Sequence, residues 1–171
     1  QVLAPLHKGQ AGIGNFNSVL QGALNPGGSG ISLGSTRYAV GDKVIQTRNN
    51  YDLGIFNGDL GRITHVNHEA GTLAAAFDGG PVDFERGDLL DLAPAYAISI
   101  HKSQGSEFPA VIVTLLPEHH VMLRRNLLYT AVTRARRLCV VVGEPRAIEQ
   151  AVRRVDSGRR HTGLARRLRI A

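Results

Sequence analysis

The sequence predicts an α/β domain whose parallel sheet is interrupted by a small all-β insert. Three observations carry this reading. Apolar, strand-like runs alternate with helically periodic stretches at both ends of the chain. Between them, residues 39–92 form a series of short strands broken by tight turns. Charge divides at the same places: residues 39–92 hold nine acidic and four basic side chains, a net −5, which leaves +11 for the rest of a chain whose total is +6. The expected division is therefore a discontinuous body at 1–38 and 93–171 around an insert at 39–92.

In chain order, Gln1-Val2-Leu3-Ala4-Pro5 reads as a short buried strand that the proline stops. Residues 11–25 place Ile13, Phe16, Val19, Leu20, Ala23 and Leu24 at helical spacing. Asn25-Pro26-Gly27-Gly28-Ser29-Gly30 ends that helix and reads as a flexible joint. Within the insert, strands are expected at 43–47, 61–66, 73–77 and 81–84. Asn57-Gly58 is a strong hairpin signal, because that pair tolerates positive φ at both turn positions. Residues 96–100 and 111–115 then read as buried parallel strands, 119–134 as a helix, 138–142 as a third strand and 146–154 as a basic helix. The polar, arginine-rich tail from Asp156 reads either as a docked terminal helix or as partly disordered.

Composition narrows the class. A chain of 171 residues with a 43% hydrophobic content is long enough for one core and a small insert. No apolar run reaches the roughly 18–20 residues of a bilayer span, so no membrane is expected as a partner. The start at Gln1, without Met or a secretory pattern, reads as the edge of a piece of a longer chain. Cys139 is the single cysteine, inside an apolar run, and reads as a small buried hydrophobe compatible with a reducing cytoplasm. The basic body has the electrostatic footprint of a polyanion binder. His119-His120 lacks a carboxylate or cysteine at ligand spacing, so no metal site is expected in this chain.

Two segments carry chemistry. His101-Lys102-Ser103-Gln104-Gly105-Ser106-Glu107-Phe108 follows a buried strand directly, and ligands of open α/β sheets bind at carboxyl ends of strands. Its donors, with a glycine for close backbone approach, are groups one would set against phosphate oxygens. An unliganded polar loop is the alternative. Tyr129-Thr130-Ala131-Val132-Thr133-Arg134-Ala135-Arg136-Arg137 ends a helix, where an arginine can reach a phosphate held by a neighbouring domain and stabilise the charge of phosphoryl transfer. For Arg136 and Arg137, simple capping of the helix C-terminus is the better reading.

Residues 96–108 resemble helicase motif V of superfamily 1B, and residues 127–136 resemble its motif VI. The start, Val2-Leu3-Ala4-Pro5-Leu6-His7-Lys8-Gly9, looks like the motif IV region of RecD-like helicases. Gly41-Asp42-Lys43-Val44, Asn49-Asn50-Tyr51 and Phe56-Asn57-Gly58-Asp59-Leu60-Gly61 are similar to their SH3-like insert. The resemblance covers nearly the whole chain and is to the C-terminal motor domain of the long RecD-like subfamily, similar to the alpha subunit of exodeoxyribonuclease V. It implies a RecA-like parallel-sheet domain interrupted by a small SH3-like β-barrel insert.

The resemblance also implies roles. Arg134 matches the motif VI arginine that reaches the γ-phosphate of ATP. Gly105 and Glu107 match the positions that approach the nucleotide, and His101, Lys102 and Ser103 match the part that faces single-stranded DNA. Gln104 lies between the two sites, and Lys8 is where a motif IV cation would approach phosphate. The implied activity is ATP-dependent translocation on single-stranded DNA, 5′ to 3′, with ATP and Mg2+ held mainly by the N-terminal RecA-like domain of the same parent. Single-stranded DNA and that domain are the expected partners of a monomeric, cytoplasmic protein. The insert's net −5 argues for contact through a few selected groups.

No Gly-Lys dipeptide forms a phosphate-cradling loop, and no apolar run ends in Asp-Glu to hold magnesium. Half of an ATPase is thus expected, with negligible hydrolysis by this chain alone. The rivals are a free-standing nucleic-acid- or protein-binding module and a relaxase-associated helicase, which would differ in what precedes Gln1.

Overall fold

The structure, a computed structural model, describes residues 1–155, and the tail from Asp156 lies outside them. In chain order the elements are β1 (Val2–Ala4), α1 (Ile13–Leu24), β2 (Gly30–Leu33), β3 (Thr36–Ala39), β4 (Lys43–Gln46), β5 (Leu60–Asn67), β6 (Thr72–Phe77), β7 (Gly80–Phe84), β8 (Leu92–Pro94), β9 (Ala97–Ser99), β10 (Phe108–Leu115), α2 (Arg125–Val132), β11 (Ala135–Gly143) and α3 (Pro145–Arg153). Short 3-10 turns lie at Asp88–Asp91 and Pro117–His119.

Four strands form the expected parallel sheet, in the order β11-β10-β1-β9. Val2 pairs with both Ala97 and Ile112, so the first strand of the chain sits between strands that follow the insert. Alternation along the strands divides the two faces. Leu3, Ile98, Val111 and Val113 point to a core shared with Leu127 and Ala131 of α2 and Ala147 and Ala151 of α3. Ala4 and Ala97 point the other way, against Ile13 of α1. β9 is an edge strand, and Asn17 of α1 occupies that edge: its side-chain amide donates to the Ala97 carbonyl and accepts the Ala97 N–H, both at 2.9 Å. A buried polar residue on the apolar face of a helix thereby serves as a surrogate neighbouring strand.

The insert is a five-stranded antiparallel sheet, β7-β6-β5-β4-β8. Leu73, Ala75 and Phe77 alternate inward on β6 and meet Val44, Ile63, Val66, Phe84, Leu89 and Leu92. The β2–β3 hairpin packs on the same core through Ile31, Leu33 and Tyr38, and the Tyr38 hydroxyl donates to the Leu92 carbonyl at 2.7 Å. Burial pushes the Tyr38 phenol up to about 12. The sequence reading did not anticipate this hairpin. The joint expected at 25–30 runs directly into β2, and the expected boundary at 38/39 falls inside β3.

Other departures have local causes. Among the described residues only glycines have positive φ, so at Asn57-Gly58 the left-handed conformation falls on Gly58 alone, at 105°. The turn closes through Asp59 N–H to the Phe56 carbonyl, at the end of a long loop over 47–59 rather than directly between two strands. The single helix expected over 119–134 is divided: a 3-10 turn held by the Leu116 N–H donating to His119 Nδ1 precedes α2, which starts at Arg125. Cys139 is half-buried on β11 rather than fully buried, and its burial still raises the thiol pKa.

Candidate functional site

The register of the parallel sheet decides what residues 100–107 can reach. Val2 is level with Ala97 and Ile112, which places Ser99 level with Thr114. The chain leaves β9 at that height and must re-enter at Phe108, six residues lower on β10, roughly 20 Å along the strand direction at ~3.3 Å per residue. Residues 100–107 therefore run from the carboxyl end of the sheet to its amino end. One loop serves two separate places.

At the upper end the loop is a coiled turn fixed from inside. The Ser99 hydroxyl accepts the Lys102 N–H at 3.0 Å, and the Ser103 N–H donates to the Ser99 carbonyl at 3.1 Å. The Ser103 hydroxyl, completely buried, donates to the Ile100 carbonyl at 2.8 Å. The Ser103 side chain, expected to face DNA, is engaged in shaping the turn. His101 and Lys102 diverge from each other. His101 and Gln104 line a cleft of about 260 Å³ against Arg124, Asn126 and Thr130 along α2. Lys102 lines a different cleft of about 550 Å³, together with His7, Asn17 and Gln21 of the body and Arg37 of the β2–β3 hairpin.

Gly105 has φ of +88° with open space where a Cβ would stand, so its conformation, not crowding by this chain, requires glycine. Beyond it the loop meets Arg134. That guanidinium donates from Nε to the Thr130 carbonyl at 3.1 Å, from Nη1 to the Ser106 carbonyl at 3.0 Å and from Nη2 to Thr133 Oγ1 at 3.2 Å. Three of five N–H bonds are engaged, which leaves two for an incoming oxygen. Arg134 thus caps the C-terminus of α2 and grips the loop at once. The Phe108 N–H donates to the Arg134 carbonyl at 2.8 Å, tying the same residue to the start of β10.

Arg136, expected as a helix cap, lies instead on β11 and donates from Nε to Glu107 Oε2 at 2.9 Å. Both side chains are exposed, so this pair orients Glu107 and adds at most about 1 kcal/mol of stability. Lys8 is not part of this cluster. It sits in the turn after β1, beside Gly9, at the opposite end of the sheet from Arg134. The sequence reading missed Thr130 and Thr133. The Thr130 contact is to its backbone carbonyl, one turn before Arg134, so it depends on helix geometry and carries no residue-type signal.

The residues present fit a nucleotide phosphate better than a metal. Arg134 offers uncommitted donors beside a loop rich in amides, while among the described residues no group of three or more His, Cys, Asp or Glu is placed to hold a metal ion. No helix among them is long and apolar enough to cross a membrane.

Fold and site together define the C-terminal motor region of a helicase. Residues 94–142 match the family described as the UvrD-like helicase C-terminal domain, and residues 16–77 match the SH3 domain of ATP-dependent RecD-like DNA helicases. The chain belongs to the RecD-like DNA helicase family. It is 39% identical over 169 residues to the ATP-dependent RecD2 DNA helicase of Deinococcus radiodurans, covering 99% of this chain and 23% of that protein. Identity to the RecBCD enzyme subunit RecD of Mycolicibacterium smegmatis is 37% over 171 residues, covering 100% of this chain and 29% of the subunit. The chain thus spans about a quarter of the length of these relatives. In fold it resembles Bacteroides Pif1 bound to single-stranded DNA, with a TM-score of 0.63 at 19% identity over 88% of this chain and 42% of that one. The Bacteroides Pif1 complex with ADP-AlF3 and single-stranded DNA gives 0.64 at 18% identity, over 99% and 44%.

Proposed function

We propose that this chain is the second motor half of an ATP-dependent DNA helicase that translocates 5′ to 3′ on single-stranded DNA. The carrying observation is the loop over 100–107, which spans the sheet from end to end and is gripped at its lower end by Arg134 through the Ser106 carbonyl. In this reading Arg134 meets the γ-phosphate of ATP held, with Mg2+, mainly by the N-terminal RecA-like domain of the parent. Gln104, Gly105 and Glu107 lie along the nucleotide side. Lys102 contacts the strand, and His101, turned toward α2, lines the smaller cleft with Gln104. When Arg134 turns from the Ser106 carbonyl to a phosphate oxygen, it releases the lower end of a loop whose upper end holds Lys102. That exchange converts a nucleotide event into a change of grip. Lys8, at the upper end, belongs with the strand-facing groups. The structural division we assign is an insert over 30–94 with the body on either side, since the β2–β3 hairpin packs into the insert's core.

The test is DNA-stimulated ATP hydrolysis by a parent extended through its N-terminal motor domain, wild type against Arg134→Ala. The expected outcome is a fall in kcat of about 10³-fold or more with nucleotide binding retained. Equal turnover would make Arg134 a structural cap and favour the binding-module reading.

A further inference from the structure

The turn that follows β1 carries His7 and Lys8 at the upper end of the sheet. Much of it is fixed by its own backbone. The Gly12 N–H donates to the Gly9 carbonyl at 3.1 Å, the Ile13 N–H to the Leu6 carbonyl at 3.0 Å and the Gly14 N–H to the His7 carbonyl at 3.3 Å. A Cβ on Gly12 would stand 2.5 Å from the Lys8 carbonyl oxygen, so the turn closes this tightly only with glycine there. The Ala11 N–H is held differently. It donates to Glu118 Oε1 at 3.3 Å, a side chain 107 positions later in the sequence.

Glu118 is set in place from its other side. It belongs to the 3-10 turn at Pro117–His119, which joins β10 to α2. Beside it the buried His119 ring accepts the Leu116 N–H at Nδ1, so the proton of the neutral ring is on Nε2. That Nε2 is buried, has no hydrogen-bond partner and lies 3.7 Å from Glu118 Oε1. The connector is anchored further on. The Met122 and Leu123 N–H groups donate to the His119 carbonyl, while Gln150 Nε2 and Arg154 Nη1 donate to the His120 carbonyl. One carboxylate oxygen thus faces the Ala11 amide and the His119 ring, and it joins the first turn of the chain to a connector anchored on α3.

We propose that Glu118 is a positioning residue for the single-strand grip: it holds the turn over 6–12 in the conformation that presents His7 and Lys8 to the strand. His7 lines the larger cleft with Lys102, and Lys8, the next residue, is exposed. The sign of the charge makes this role testable. A carboxylate beside the path of a polyanion repels it, so its removal should by itself tighten binding. A carboxylate that orders a cation-bearing turn should do the reverse when removed. Repulsion and positioning therefore predict opposite effects of one substitution. The role rests on the strand grip proposed above for Lys8 and Lys102, and its test separates the two.

The experiment is fluorescence anisotropy of this chain with a labelled oligothymidylate over a salt series, with hydrogen exchange of the Ala11 amide followed by NMR. Glu118→Ala should weaken binding about fivefold and lower the salt slope by about one, as expected for one lost phosphate contact. Its Ala11 amide should exchange faster. Glu118→Gln keeps an acceptor oxygen without the charge, and it should restore both affinity and protection. The Glu118 side chain is half-exposed, so both variants should melt near the wild-type temperature. Lys8→Ala should reproduce the loss of affinity, and adding Glu118→Ala to it should weaken binding no further. If Glu118→Ala binds as tightly as wild type or more tightly, while Lys8→Ala and Lys102→Ala bind weakly, the positioning role is overturned and the strand grip stands. If the Glu118→Ala and Lys8→Ala losses add in full, Glu118 does not act through the turn and the proposal is wrong. If wild type fails to bind, or neither lysine matters, the strand grip falls and the positioning role falls with it.

Discussion

Arg134 shows why a residue's chemistry and its structural duty have to be separated by measurement. The same guanidinium caps α2, grips the Ser106 carbonyl and keeps two donors open. Ser103 is the simpler case. Its sequence context among polar loop residues gave no sign that the hydroxyl turns inward, because a three-residue reach back to Ile100 depends on the coiled backbone and not on composition. Ser103→Ala should lower stability by about 1 kcal/mol in urea denaturation, for the loss of one buried hydrogen bond, and leave the affinity for single-stranded DNA unchanged. A drop in affinity at wild-type stability would return Ser103 to the DNA interface. His119 offers a pH test. It is fully buried, Nδ1 accepts the Leu116 N–H, and burial lowers its pKa from 6.5 against the smaller opposing pull of Glu118. A depressed folded value means that the unfolded chain binds the proton more readily. The stabilising contribution of His119 is therefore fully present above pH 6.5 and is lost as pH falls below it, at up to about 1.4 kcal/mol per pH unit. His119→Gln should flatten the melting-temperature profile between pH 7 and 5 relative to wild type. An unchanged profile would show that the ring is not what titrates.

Among elements, the least legible feature was the join between body and insert. Gly41-Asp42-Lys43-Val44 was visible as a motif, yet nothing in the sequence announced that Asp42 would be buried without a cation. Asp42 Oδ1 accepts from Asn25 Nδ2 at 2.7 Å and from the Tyr96 hydroxyl at 2.8 Å, while Oδ2 accepts from Gln21 Nε2 and from the Ala39 N–H. One carboxylate thus collects α1, the end of β3 and the approach to β9, which are distant in sequence and meet only in the fold. Periodicity could not show this, since it reports which face of an element is apolar and not which polar groups converge. It did find both strand families, because their apolar alternation is local. The β2–β3 hairpin escaped because its two faces are mostly half-exposed and glycine-rich residues precede it. Asp42→Ala leaves four donors without their acceptor and should cost about 3 kcal/mol, read as a lower urea midpoint. It should also bring the Tyr96 phenol, now at about 12, part of the way back toward 10. The remainder of the shift should persist, since burial is its larger cause and the Asp42 hydrogen bond the lesser. Full retention of the Tyr96 titration, followed by absorbance near 295 nm, would mean the hydroxyl does not depend on Asp42.

For the whole molecule, the decisive property is what the two sheet ends cannot do by themselves. Hydrolysis of ATP needs a cradle for the β- and γ-phosphates, a magnesium site, an oriented water and a cation for the charge that develops on the transferred group. Of these, the function proposed above assigns the last to Arg134. Arg134 stands ready with two free N–H bonds, but beside it are Thr130, Thr133 and the Ser106 carbonyl, and the nearest carboxylate in the loop, Glu107, is paired with Arg136. An arginine can stabilise a transition state only where something else has assembled the substrate, so in the proposed reading the rate contribution of Arg134 depends on groups held by the other motor half. The chain alone should therefore hydrolyse ATP at the buffer rate in a phosphate-release assay, with or without single-stranded DNA. Adding the separately produced N-terminal motor domain should raise turnover only if this chain carries Arg134. With Arg134→Ala the mixture should stay at the level of the N-terminal domain by itself. Turnover by the pure chain, abolished by Arg134→Ala, would mean that a complete phosphoryl-transfer site exists here and that the division of labour between two motor halves is wrong.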